Sequence, residues 1–599
     1  MIQLNTLRYA DYYNMQDVFD ELYETSKRNK PLYGLYEKII SDSNIKLAYR
    51  TVKSNKGSKT SGVDGLNIND FKTINDEDLI NIVRNKLKNY QPHKVKRVYI
   101  PKSDGKKRPL GIPSMIDRII QQMFKQVLEP ICEAKFYNHS YGFRPNRNTT
   151  HALARFESLS SRHSFHYVVD VDIKGFFDNI NHTKLIEQMW NIGIRDKRVL
   201  KVIKKMLKAE IEGEGVPNKG TPQGGILSPL LANIVLNELD QWVVSQWDGF
   251  KTRKEYKSKD SKMASLKKTN LKQGYIVRYA DDFKIMCKTY NEANKWFYAV
   301  KDFLKKRLKL DISTEKSKIT NLKKEHSEFL GIKIRVEKRR NKFVTQSKLT
   351  DKAKKNIIKK LKSKITRVRI YQTKKEVHNL NSTILGMQNY YAMATKVNKE
   401  FSEIAYKLSK TLRHQLIKIG KYGYPKDKDN SYCRIYKGYN MKTYQVCGLW
   451  VFPIAGVTHK VKLNFSQDIC NYTKIGRDKI YNKLSYTNEI KKVMNAYLGN
   501  RSIEYNDNRI SKYSMQKGKC AISNLFLFAG DVHCHHIKPI KKGGNDDYNN
   551  LTIIHKDIHT ILHSKDITKI RQVLNEFNVN KTGMSKFNKY RKELDLEVI

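Results

Sequence analysis

The chain has 599 residues, 39% of them hydrophobic, and its 115 lysines and arginines against 59 acids give a formal charge of +56. This length allows several domains. The charge predicts a polyanionic partner, most simply nucleic acid, rather than a membrane surface, since the aromatic residues are spread along the whole chain. Seven cysteines without a C-x-x-C pair, no apolar run near the ~18–20 residues of a membrane span and no apolar signal core argue against disulfide-rich, transmembrane and secreted proteins.

The first 335 residues mix helical and strand patterns. Residues 1–90 alternate helical patterns with a loop at 54–67 that is rich in Gly, Ser and Asn. From 97 to 335, short β-rich runs alternate with helical runs, which predicts an α+β domain. Within it, the segment 251–272 has few large apolar residues and is typical of a basic insertion or loop.

Acidic residues stand in two of the apolar stretches. In HYVVDVDIKGFFDNINH, Asp170 and Asp172 alternate with apolar residues, so they share one face of a predicted strand. In GYIVRYADDFKIMC, 274–287, Asp281 and Asp282 lie at the tip of a predicted hairpin. An acid on so apolar a strand is costly to desolvate unless it is paired or metal-bound.

If the two stretches converge, their acids can bind metal ions together, which would offset the desolvation cost in both. Asp172, Asp281 and Asp282 could share two divalent cations ~3.5–4 Å apart, the arrangement used for in-line phosphoryl transfer. Hard oxygen ligands suit Mg²⁺, so the pattern predicts a site for two Mg²⁺ ions. For an adjacent Asp pair considered alone, an ordinary turn or surface charge is the alternative.

Two further stretches suit a phosphate-bearing substrate. In IPKSDGKKRPLGIP, Lys102 and Arg108 surround a turn after a short strand, where cations could clamp a triphosphate. GTPQGGILSPLLANIVLNELD holds a Gly-rich loop that can approach a base pair closely, then a helix with Ser228 as N-cap and Pro229 as its first residue. The predicted buried stripe of this helix consists of Leu230, Leu231, Ile234, Val235 and Leu239.

A basic amphipathic helix is predicted over 351–370, DKAKKNIIKKLKSKITRVRI. Its apolar stripe consists of Ile357, Ile358, Leu361, Ile365 and Val368. The lysines on the other face are typical of a solvated surface, but in a chain of +56 we favour a face that binds RNA.

The last ~80 residues are rich in histidine, with six of the chain's 16 between 533 and 563. His559 and His563, spaced i and i+4, share a helix face and can hold one metal ion. His535 and His536 are neighbours on a predicted strand, so they point to opposite sides. One of them could bind the metal while the other acts as a base. A structural zinc site or a packing cluster is the alternative.

In order, these segments resemble the characteristic block pattern of a reverse transcriptase. Their sequences resemble those of the reverse transcriptases encoded by mobile group II introns. The blocks are KKRPLGIP (106–113), SYGFRPNRNTTHAL (140–153), DIKGFFDNINH (172–182), GTPQGGILSPLLANI (220–234), VRYADDF (277–283), LDISTEKSKI (310–319) and FLGIKI (329–334). GMQNYYAMA (386–394) resembles the maturase X segment, SNKGSKTSGVDGLN (54–67) the extra N-terminal block, and DVHCHHIKPIKKGGNDDYNNLTIIHKDIHTILHS (531–564) the HNH, or ββα-metal, nuclease motif.

The resemblance implies an α+β multidomain fold with a right-hand polymerase. We expect fingers and palm over 1–345, an α-helical thumb or maturase X domain over 346–440, a small DNA-binding region over 441–510, and a ββα-metal HNH domain over 511–599.

The resemblance also implies roles for the polymerase residues. Asp172, Asp281 and Asp282 match the metal-binding triad, and Lys102 and Arg108 match the clamp on the incoming triphosphate. Phe177 matches the aromatic gate under the incoming sugar, with Phe176 as the competing candidate. Gln223 matches a residue that contacts the incoming nucleotide. Lys316 matches a lysine proposed as general acid for pyrophosphate, with a surface lysine as the alternative.

For the nuclease, the resemblance implies that His535, His559 and His563 hold one divalent ion, Mg²⁺, Mn²⁺ or Zn²⁺. His536 would activate water, with Asn550 orienting it. Related domains often add a structural zinc on two C-x-x-C pairs. Here Ser523 stands where the partner of Cys520 is expected, and His555 and Ile558 hold the second pair's places, so that four-ligand pattern is broken.

The function implied is that of a ribonucleoprotein enzyme. It would bind the intron RNA that encodes it, promote splicing, nick target DNA and extend the nick with dNTPs, without a membrane partner; a homodimer stays open. We expect a bacterial cytoplasmic, nucleoid-associated protein, with an intron-encoding organelle as the alternative. A non-intron bacterial reverse transcriptase and an RNA-binding splicing cofactor without nuclease activity are the competing interpretations.

Overall fold

The computed structural model describes residues 2–72, 74–101, 107–425, 431–436, 438–439, 441–481, 492–493 and 501–599. Its helices up to residue 270 are α1 (Ile2–Tyr12), α2 (Gln16–Lys27), α3 (Leu35–Ile39), α4 (Asp42–Lys53), α5 (Asp76–Lys88), α6 (Met115–Glu133), α7 (Thr149–Arg162), α8 (Phe176–Asn179), α9 (His182–Ile192), α10 (Lys197–Leu207), α11 (Ser228–Gln246) and α12 (Lys259–Leu266). The later helices are α13 (Tyr290–Arg307), α14 (Asp351–Tyr371), α15 (Lys374–Tyr391), α16 (Val397–Leu416), α17 (Ser431–Ile435), α18 (Lys474–Tyr481), α19 (Ile503–Met515), α20 (Lys556–Leu562), α21 (Ile567–Glu576) and α22 (Lys581–Glu593).

The strands form small antiparallel sheets. They are β1 (Lys96–Pro101), β2 (Lys107–Ile112), β3 (Tyr167–Val171), β4 (Tyr275–Tyr279), β5 (Asp282–Cys287), β6 (Lys318–Asn321), β7 (Ser327–Phe329), β8 (Ile332–Arg339), β9 (Lys342–Leu349), β10 (Lys421–Gly423), β11 (Thr443–Val446), β12 (Leu449–Trp450), β13 (Val532–His536) and β14 (Leu551–His555). Their orders are β1-β2, β4-β5-β3-β6, β7-β8-β9, β10-β11-β12 and β13-β14. This mixed α/β content agrees with the predicted fold class.

The chain folds into two compact units. Unit 1 comprises Met1–Phe136, Phe177–Ile234 and Gln467–Ile599, and unit 2 comprises Tyr137–Phe176 and Val235–Ser466. Among the described residues, no helix is both long enough and apolar enough to cross a bilayer.

Helix α6 is the centre of the N-terminal part of unit 1. It is buried along most of its length, and α2 and α4 pack against it. Ser114 caps its first turn by accepting from the backbone N–H of Asp117. The buried side chain of Asn44 on α4 donates to the backbone oxygens of Ile39 and Met123, which ties α4 to α6.

The C-terminal part of unit 1, 467–599, packs on the N-terminal helices of the same unit. Lys53 Nζ lies 3.2 Å from a Glu504 carboxylate oxygen, and both side chains are largely buried. Arg50 Nη2 donates to Ser511 Oγ at 3.0 Å. Two nitrogens of Arg477 each contact the Asp20 carboxylate at 2.7 Å. The sequence patterns did not predict this packing, because the paired residues lie more than 450 positions apart.

The core of the histidine-rich segment begins earlier than predicted. Tyr505, Ile510 and Tyr513 of α19 share one apolar cluster with Ile553 of β14 and Phe587 of α22. The predicted boundary between 510 and 511 therefore falls inside a helix that belongs to this core.

The central sheet of unit 2 is the four-stranded β4-β5-β3-β6 sheet, in which every neighbouring pair is antiparallel. Helices α7 and α13 pack against it. A capping box between Thr289 and Glu292 starts α13. The predicted strand in HYVVDVDIKG ends at Val171, so Asp172 follows the strand rather than lying within it.

The basic helix predicted at 351–370 is present as α14, with Thr350 as its N-cap. Four residues of the predicted stripe are buried, together with Ala353, while Ile358 is only partly buried. Helices α15 and α16 pack against α14. The predicted boundary between 345 and 346 falls inside β9, and the nearest strand end is Leu349.

The segment 251–272, for which we expected a basic insertion or loop, is not entirely irregular. It contains α12, whose Met263 and Leu266 are buried against Trp247. Two apolar side chains one turn apart suffice to attach this short helix, which is too little for an amphipathic pattern to show. Similarly, α11 is buried beyond its predicted stripe, at Ala232, Asn233 and Leu236 as well, and begins at Ser228, one residue earlier than expected.

Candidate active sites

The three predicted acidic ligands lie at one end of the central sheet of unit 2. Strand β3 pairs with β5 up to Val171 and Phe283, so Asp172 follows the last pair and Asp282 precedes it. Strands β4 and β5 pair at Tyr279 and Asp282, which leaves Ala280 and Asp281 as a two-residue turn. The register therefore brings Asp172 and the Asp281–Asp282 pair to the same sheet end.

A fully buried ion pair supports this turn. Arg278 on β4 and Asp240 on α11 are both 0% exposed, and their contacts measure 2.6–3.0 Å. Arg278 Nη1 also donates to the Ala280 backbone oxygen at 2.8 Å. Ala280 has a positive φ of 58°, which is unfavourable for a residue with a side chain. The arginine thus stabilises a strained backbone conformation beside the acidic pair.

A third backbone segment fixes the same hairpin from the side. Tyr141 N–H donates to Arg278 O at 2.9 Å, and Arg278 N–H donates to His139 O at 3.1 Å. At Gly142, a Cβ would lie only 2.2 Å from the Ala280 nitrogen. Residues 140–142, the Ser-Tyr-Gly start of the block SYGFRPNRNTTHAL, therefore support the turn. Glycine is required at 142 because the backbone of Ala280 approaches it closely.

The acidic side chains are near one another without forming a closed cluster. Among the described residues, these three are not a group whose ligand atoms all lie within 4.8 Å of one another. Asp172 Oδ2 instead lies 3.3 Å from Lys316 Nζ, and Asp282 Oδ1 lies 3.2 Å from Lys284 Nζ. Like charges repel and each carboxylate gains from its own cation. The oxygen donor set suits a hard divalent cation.

The electrostatics of Asp282 show how crowded this sheet end is. Burial raises the pKa of Asp282, the Lys284 ammonium opposes that shift, and the charges of Asp170 and Asp281 add to it. A bound cation would favour the ionised form of this carboxyl.

The buried carboxylate of Asp170 is stabilised by a lysine and two hydroxyl groups. Lys284 Nζ lies 3.0 Å from its Oδ1. Thr320 Oγ1 donates to Oδ2 at 2.8 Å, and Ser327 Oγ donates to Oδ1 at 2.9 Å. Asp170 is therefore a structural ion-pair partner, and sequence reasoning missed Lys284, which stands two residues after Asp282 in the same motif.

In unit 1, two of the predicted substrate-binding residues meet. Arg108 Nε on β2 donates to Gln223 Oε1 at 2.7 Å. The Gly-rich loop approaches the same strand, with Gly111 N–H donating to Gln223 O at 2.7 Å. Gly224 has φ +119°, and a Cβ there would lie 2.4 Å from Gly111 O. The glycine is thus required by a neighbouring strand. Lys102 lies outside the described residues.

The two candidate gate residues differ in exposure. Phe176 is 3% exposed and belongs to the core, whereas Phe177 is only partly buried. The Phe177 backbone oxygen accepts from Thr221 N–H at 2.8 Å, beside the Gly-rich loop. This difference favours Phe177 as the residue available to a ligand.

The predicted histidine ligands converge in unit 1. His535 lies on β13, His559 on α20 and His563 directly after α20. Their ligand atoms all lie within 4.8 Å of one another. The Nε2 atoms of His559 and His563 are 3.2 Å apart, close to the about 3.3 Å expected between nitrogens that share a tetrahedral zinc ion.

The state of these rings suits metal binding. His535 Nε2 is buried and, within the described chain, has no hydrogen-bond partner. Burial, together with the neighbouring histidines, lowers the pKa of His535 and of His559 to about 3. Neutral imidazole is the form that binds a metal ion, so the residues present fit a divalent ion. His533, which the sequence reasoning did not assign, stacks on His559 with ring centroids 3.6 Å apart.

The predicted contact between Asn550 and His536 is replaced by another one. His536 Nε2 lies 2.8 Å from Asp546 Oδ1, and Ser502 Oγ donates to Asp546 Oδ2 at 2.5 Å. The Tyr505 ring stacks on His536 with centroids 5.4 Å apart. Asp546 is the contact partner of His536 that sequence reasoning missed, although it stands in the motif segment GGNDDYNN.

Asn550 holds the motif loop instead. Its Oδ1 accepts from Lys538 N–H at 2.8 Å, and its Nδ2 donates to the backbone oxygens of Lys538 and Asn545 at 3.0 and 2.8 Å. An amide can bridge backbone donors and acceptors in this way because it carries both groups. Asn550 therefore acts on the loop that bears Asp546.

No second metal cluster forms at the broken zinc pattern within the described residues. Cys520 is buried, and its sulfur accepts from the backbone N–H groups of Ser523 and His555 at 3.4 Å. His555 uses its Nδ1 to accept from Asp557 N–H and cap α20.

Comparisons with known proteins match both sites. Residues 100–334 match the family described as Reverse transcriptase (RNA-dependent DNA polymerase). Residues 519–565 match the family described as HNH endonuclease. The first match contains the acidic residues, and the second contains the histidines.

Curated relatives each match about half of this chain. Protein YkfC of Escherichia coli is 34% identical over 46% of this chain and 76% of its own length. Group II intron-encoded protein LtrA of Lactococcus lactis is 34% identical over 54% of this chain and 58% of its own length. Putative COX1/OXI3 intron 2 protein of Saccharomyces cerevisiae is 29% identical over 50% of this chain and 38% of its own length. The chain thus spans little more than half of the bacterial intron protein.

The buried ion pair under the acidic turn can be tested directly. Arg278→Met leaves Asp240 buried and unpaired, so we expect the free energy of opening the β4–β5 hairpin to fall by about 3–5 kcal/mol. Native-state hydrogen exchange over 275–287 measures this change.

The matched control is Arg307→Met. It removes an exposed partner of Glu238, which lies on α11 like Asp240. Its effect should stay within about 1 kcal/mol. Equal exchange rates in both variants would contradict a supporting role for Arg278.

Proposed function

Because the chain belongs to the family of reverse transcriptase/maturases encoded by mobile group II introns, with an HNH endonuclease domain, we propose that it combines RNA-directed DNA synthesis, promotion of intron RNA splicing and nicking of target DNA. The observation that carries the proposal is the pairing of an acidic sheet end with a converging histidine site in one chain. Its partners would be intron RNA, target DNA and dNTPs.

The proposed layout is that of a right-hand polymerase. The antiparallel sheet that bears the acids corresponds to a palm, and helices α14 to α16 correspond to a thumb. Fingers and palm over 1–345, thumb over 346–440, a DNA-binding region over 441–510 and the HNH domain over 511–599 remain our proposed division. The element ends suggest moving the first boundary to Leu349 and the last to before Ser502.

For DNA synthesis, Asp172, Asp281 and Asp282 would hold two divalent cations, for which Mg²⁺ is our proposal. Such ions, when bound, stabilise the attacking and leaving oxygens of an in-line displacement. The chain itself supplies the rigid turn under Asp281 and the ion pair between Lys316 and Asp172. That ion pair keeps Lys316 beside the acids, where an ammonium could protonate the departing pyrophosphate.

The substrate contacts in unit 1 fit the same reaction. The bond between Arg108 Nε and Gln223 holds the guanidinium in place, and a guanidinium has further N–H groups that can bind phosphate. The partly exposed Phe177 would lie under the incoming sugar and disfavour a 2′-hydroxyl. Lys102 remains a proposed second contact to the triphosphate.

Asp281→Ala should reduce primer extension on an RNA template to background while leaving RNA affinity unchanged. The physical reason is that the variant removes a metal ligand without altering the basic surface. Single-turnover extension and filter binding measure the two properties. Asp302→Ala, which removes an exposed acid on α13, should extend normally, and full extension by Asp281→Ala would refute the assignment.

For DNA nicking, His535, His559 and His563 would hold one divalent ion that polarises the phosphodiester. Asp546 accepts a hydrogen bond from Nε2 of His536, which leaves Nδ1 to take a proton from water. Ser502 in turn fixes Asp546, and Asn550 fixes the loop that carries it.

We expect His536→Ala to abolish nicking, and Asp546→Ala to slow it by about 10–100-fold, the range for loss of an orienting partner. A nicking assay on a supercoiled target with bound RNA and Mg²⁺ or Mn²⁺ measures this. Asp557→Asn, an exposed acid beside His555, is the control. Wild-type rates in Asp546→Ala would show that the carboxylate is not needed.

The maturase role rests on the surface of α14 to α16. Lysines 352, 355, 359 and 362 are exposed along α14. A groove of about 570 Å³ between α14 and α15 is lined by Lys360, Lys364, Asn379, Tyr390 and Tyr391, among others. Cations with aromatic and amide groups suit a folded RNA, which proteins recognise through backbone, shape and unpaired bases.

Purification from the native cell followed by sequencing of the bound RNA tests this role. We expect one dominant RNA with a ribozyme-like structure that contains this reading frame, because the maturase binds the intron that encodes it. A random mixture or a short unrelated transcript would exclude the intron role while leaving the polymerase intact.

A further inference from the structure

We propose that Lys284 is a positioning residue for the polymerase reaction: it holds one carboxylate oxygen of Asp282 and thereby presents the other to the metal ions. This inference rests on the proposed DNA synthesis. It assigns a role to a buried cation that the two-metal mechanism does not use.

Strand geometry puts three charged side chains on one face of the sheet. Asp170 on β3 lies directly opposite Lys284 on β5. Because side chains alternate along a strand, Asp282 shares the face of Lys284 on β5. Asp172 follows the end of β3 at the same end of the sheet. The acids toward the sheet end face the proposed ions, and the other two charges lie one step further inside.

Lys284 bridges the inner and outer acids. Its Nζ lies 3.0 Å from Asp170 Oδ1 and 3.2 Å from Asp282 Oδ1, and its side chain is 9% exposed. The Phe329 ring covers it, with 5.6 Å between Nζ and the ring centroid. A buried ammonium that contacts two carboxylates has little freedom to move, so it is a fixed point for the exposed acid.

Asp170 anchors this fixed point from inside. Both of its oxygens are engaged, by the hydroxyls of Thr320 and Ser327 as well as by Lys284. Those hydroxyl residues are fully buried, so the Asp170 carboxylate cannot turn toward the sheet end. The order from core to site is therefore hydroxyls, Asp170, Lys284 and Asp282.

Fixing one oxygen has a catalytic consequence. A carboxylate on a short side chain can rotate and can bind a cation through one or both oxygens. With Oδ1 held by Lys284, Asp282 offers Oδ2 alone, in one orientation. Partners of this kind, which orient metal ligands, typically change metal affinity or activity by about 10–100-fold when removed.

A purely structural ion pair between Lys284 and Asp170 is the competing explanation. The variant Asp170→Asn/Lys284→Met separates the two, because it removes one negative and one positive charge and leaves the local net charge unchanged. It also avoids a lone buried charge, which could unfold the protein. Circular dichroism and thermal unfolding establish that the variant is folded.

The measurement is the Mg²⁺ concentration that gives half-maximal extension of an annealed primer, for which the nuclease is not needed. We expect the paired variant to require about tenfold more Mg²⁺. The control Asp302→Asn/Lys306→Met, an exposed pair on α13, should behave as wild type. An unchanged or lower half-saturating concentration in the folded paired variant would overturn the positioning role.

A second measurement does not depend on polymerase activity. Free Mn²⁺ is followed by electron paramagnetic resonance in a background of His535→Ala/His559→Ala, which removes the histidine site. The paired variant should bind Mn²⁺ about tenfold more weakly at the acidic site. If the protein with an intact Asp170–Lys284 pair binds Mn²⁺ at the acidic site but extends no primer, the proposed function fails alone. If the proteins with and without this pair bind Mn²⁺ equally, the positioning role fails alone.

Discussion

The buried ion pair between Arg278 and Asp240 is the constraint on which the acidic site depends. Two charges without solvent exposure are stable only when each is well paired, and here the arginine also donates to the carbonyl of Ala280. That bond fixes a left-handed residue in the turn that carries Asp281. The acidic pair is thereby held by a helix, a strand and the backbone of the 139–142 segment at once.

The two candidate metal sites deal with charge in opposite ways. The acidic site pairs Asp172 and Asp282 with a lysine each. The histidine site relies on burial, which lowers the pKa of His535 and His559 to about 3 and keeps the rings neutral. Hard oxygen ligands suit ions that retain water, and neutral nitrogen ligands suit a tightly held ion. One chain therefore offers two distinct environments for phosphodiester chemistry.

The nuclease segment is also joined to the N-terminal helices in unit 1. Lys53 pairs with Glu504 two residues after Ser502, which bonds to Asp546. Lys72 pairs with Asp547, the residue after Asp546, with 3.1 Å between Lys72 Nζ and Asp547 Oδ1. The loop that orients His536 thus has contacts to α19 and to the N-terminal part of the chain. In physical terms, the loop that carries Asp546, the contact partner of His536, is held partly by residues that precede the polymerase motifs in sequence.

The sequence by itself determined the parts of this protein that follow from local periodicity and spacing. Alternation predicted the strand before Asp172, and helical spacing predicted most of the stripe of α14. The i, i+4 spacing predicted that His559 and His563 lie close together on one side of a helix. Motif order predicted the two matched families. These features depend on neighbours within a few residues, which the sequence displays directly.

Only the tertiary structure decided which distant groups meet. Four contacts join different elements: Lys284 with Asp170, Arg278 with Asp240, Asp546 with His536, and Lys53 with Glu504. Residue types alone do not determine which lysine pairs with which acid in a chain of +56. The same limit explains why sequence reasoning assigned Asn550 rather than Asp546 to His536 and why it did not predict the short helix α12. Burial sets the partner of a charged group, and burial is a property of the packed fold.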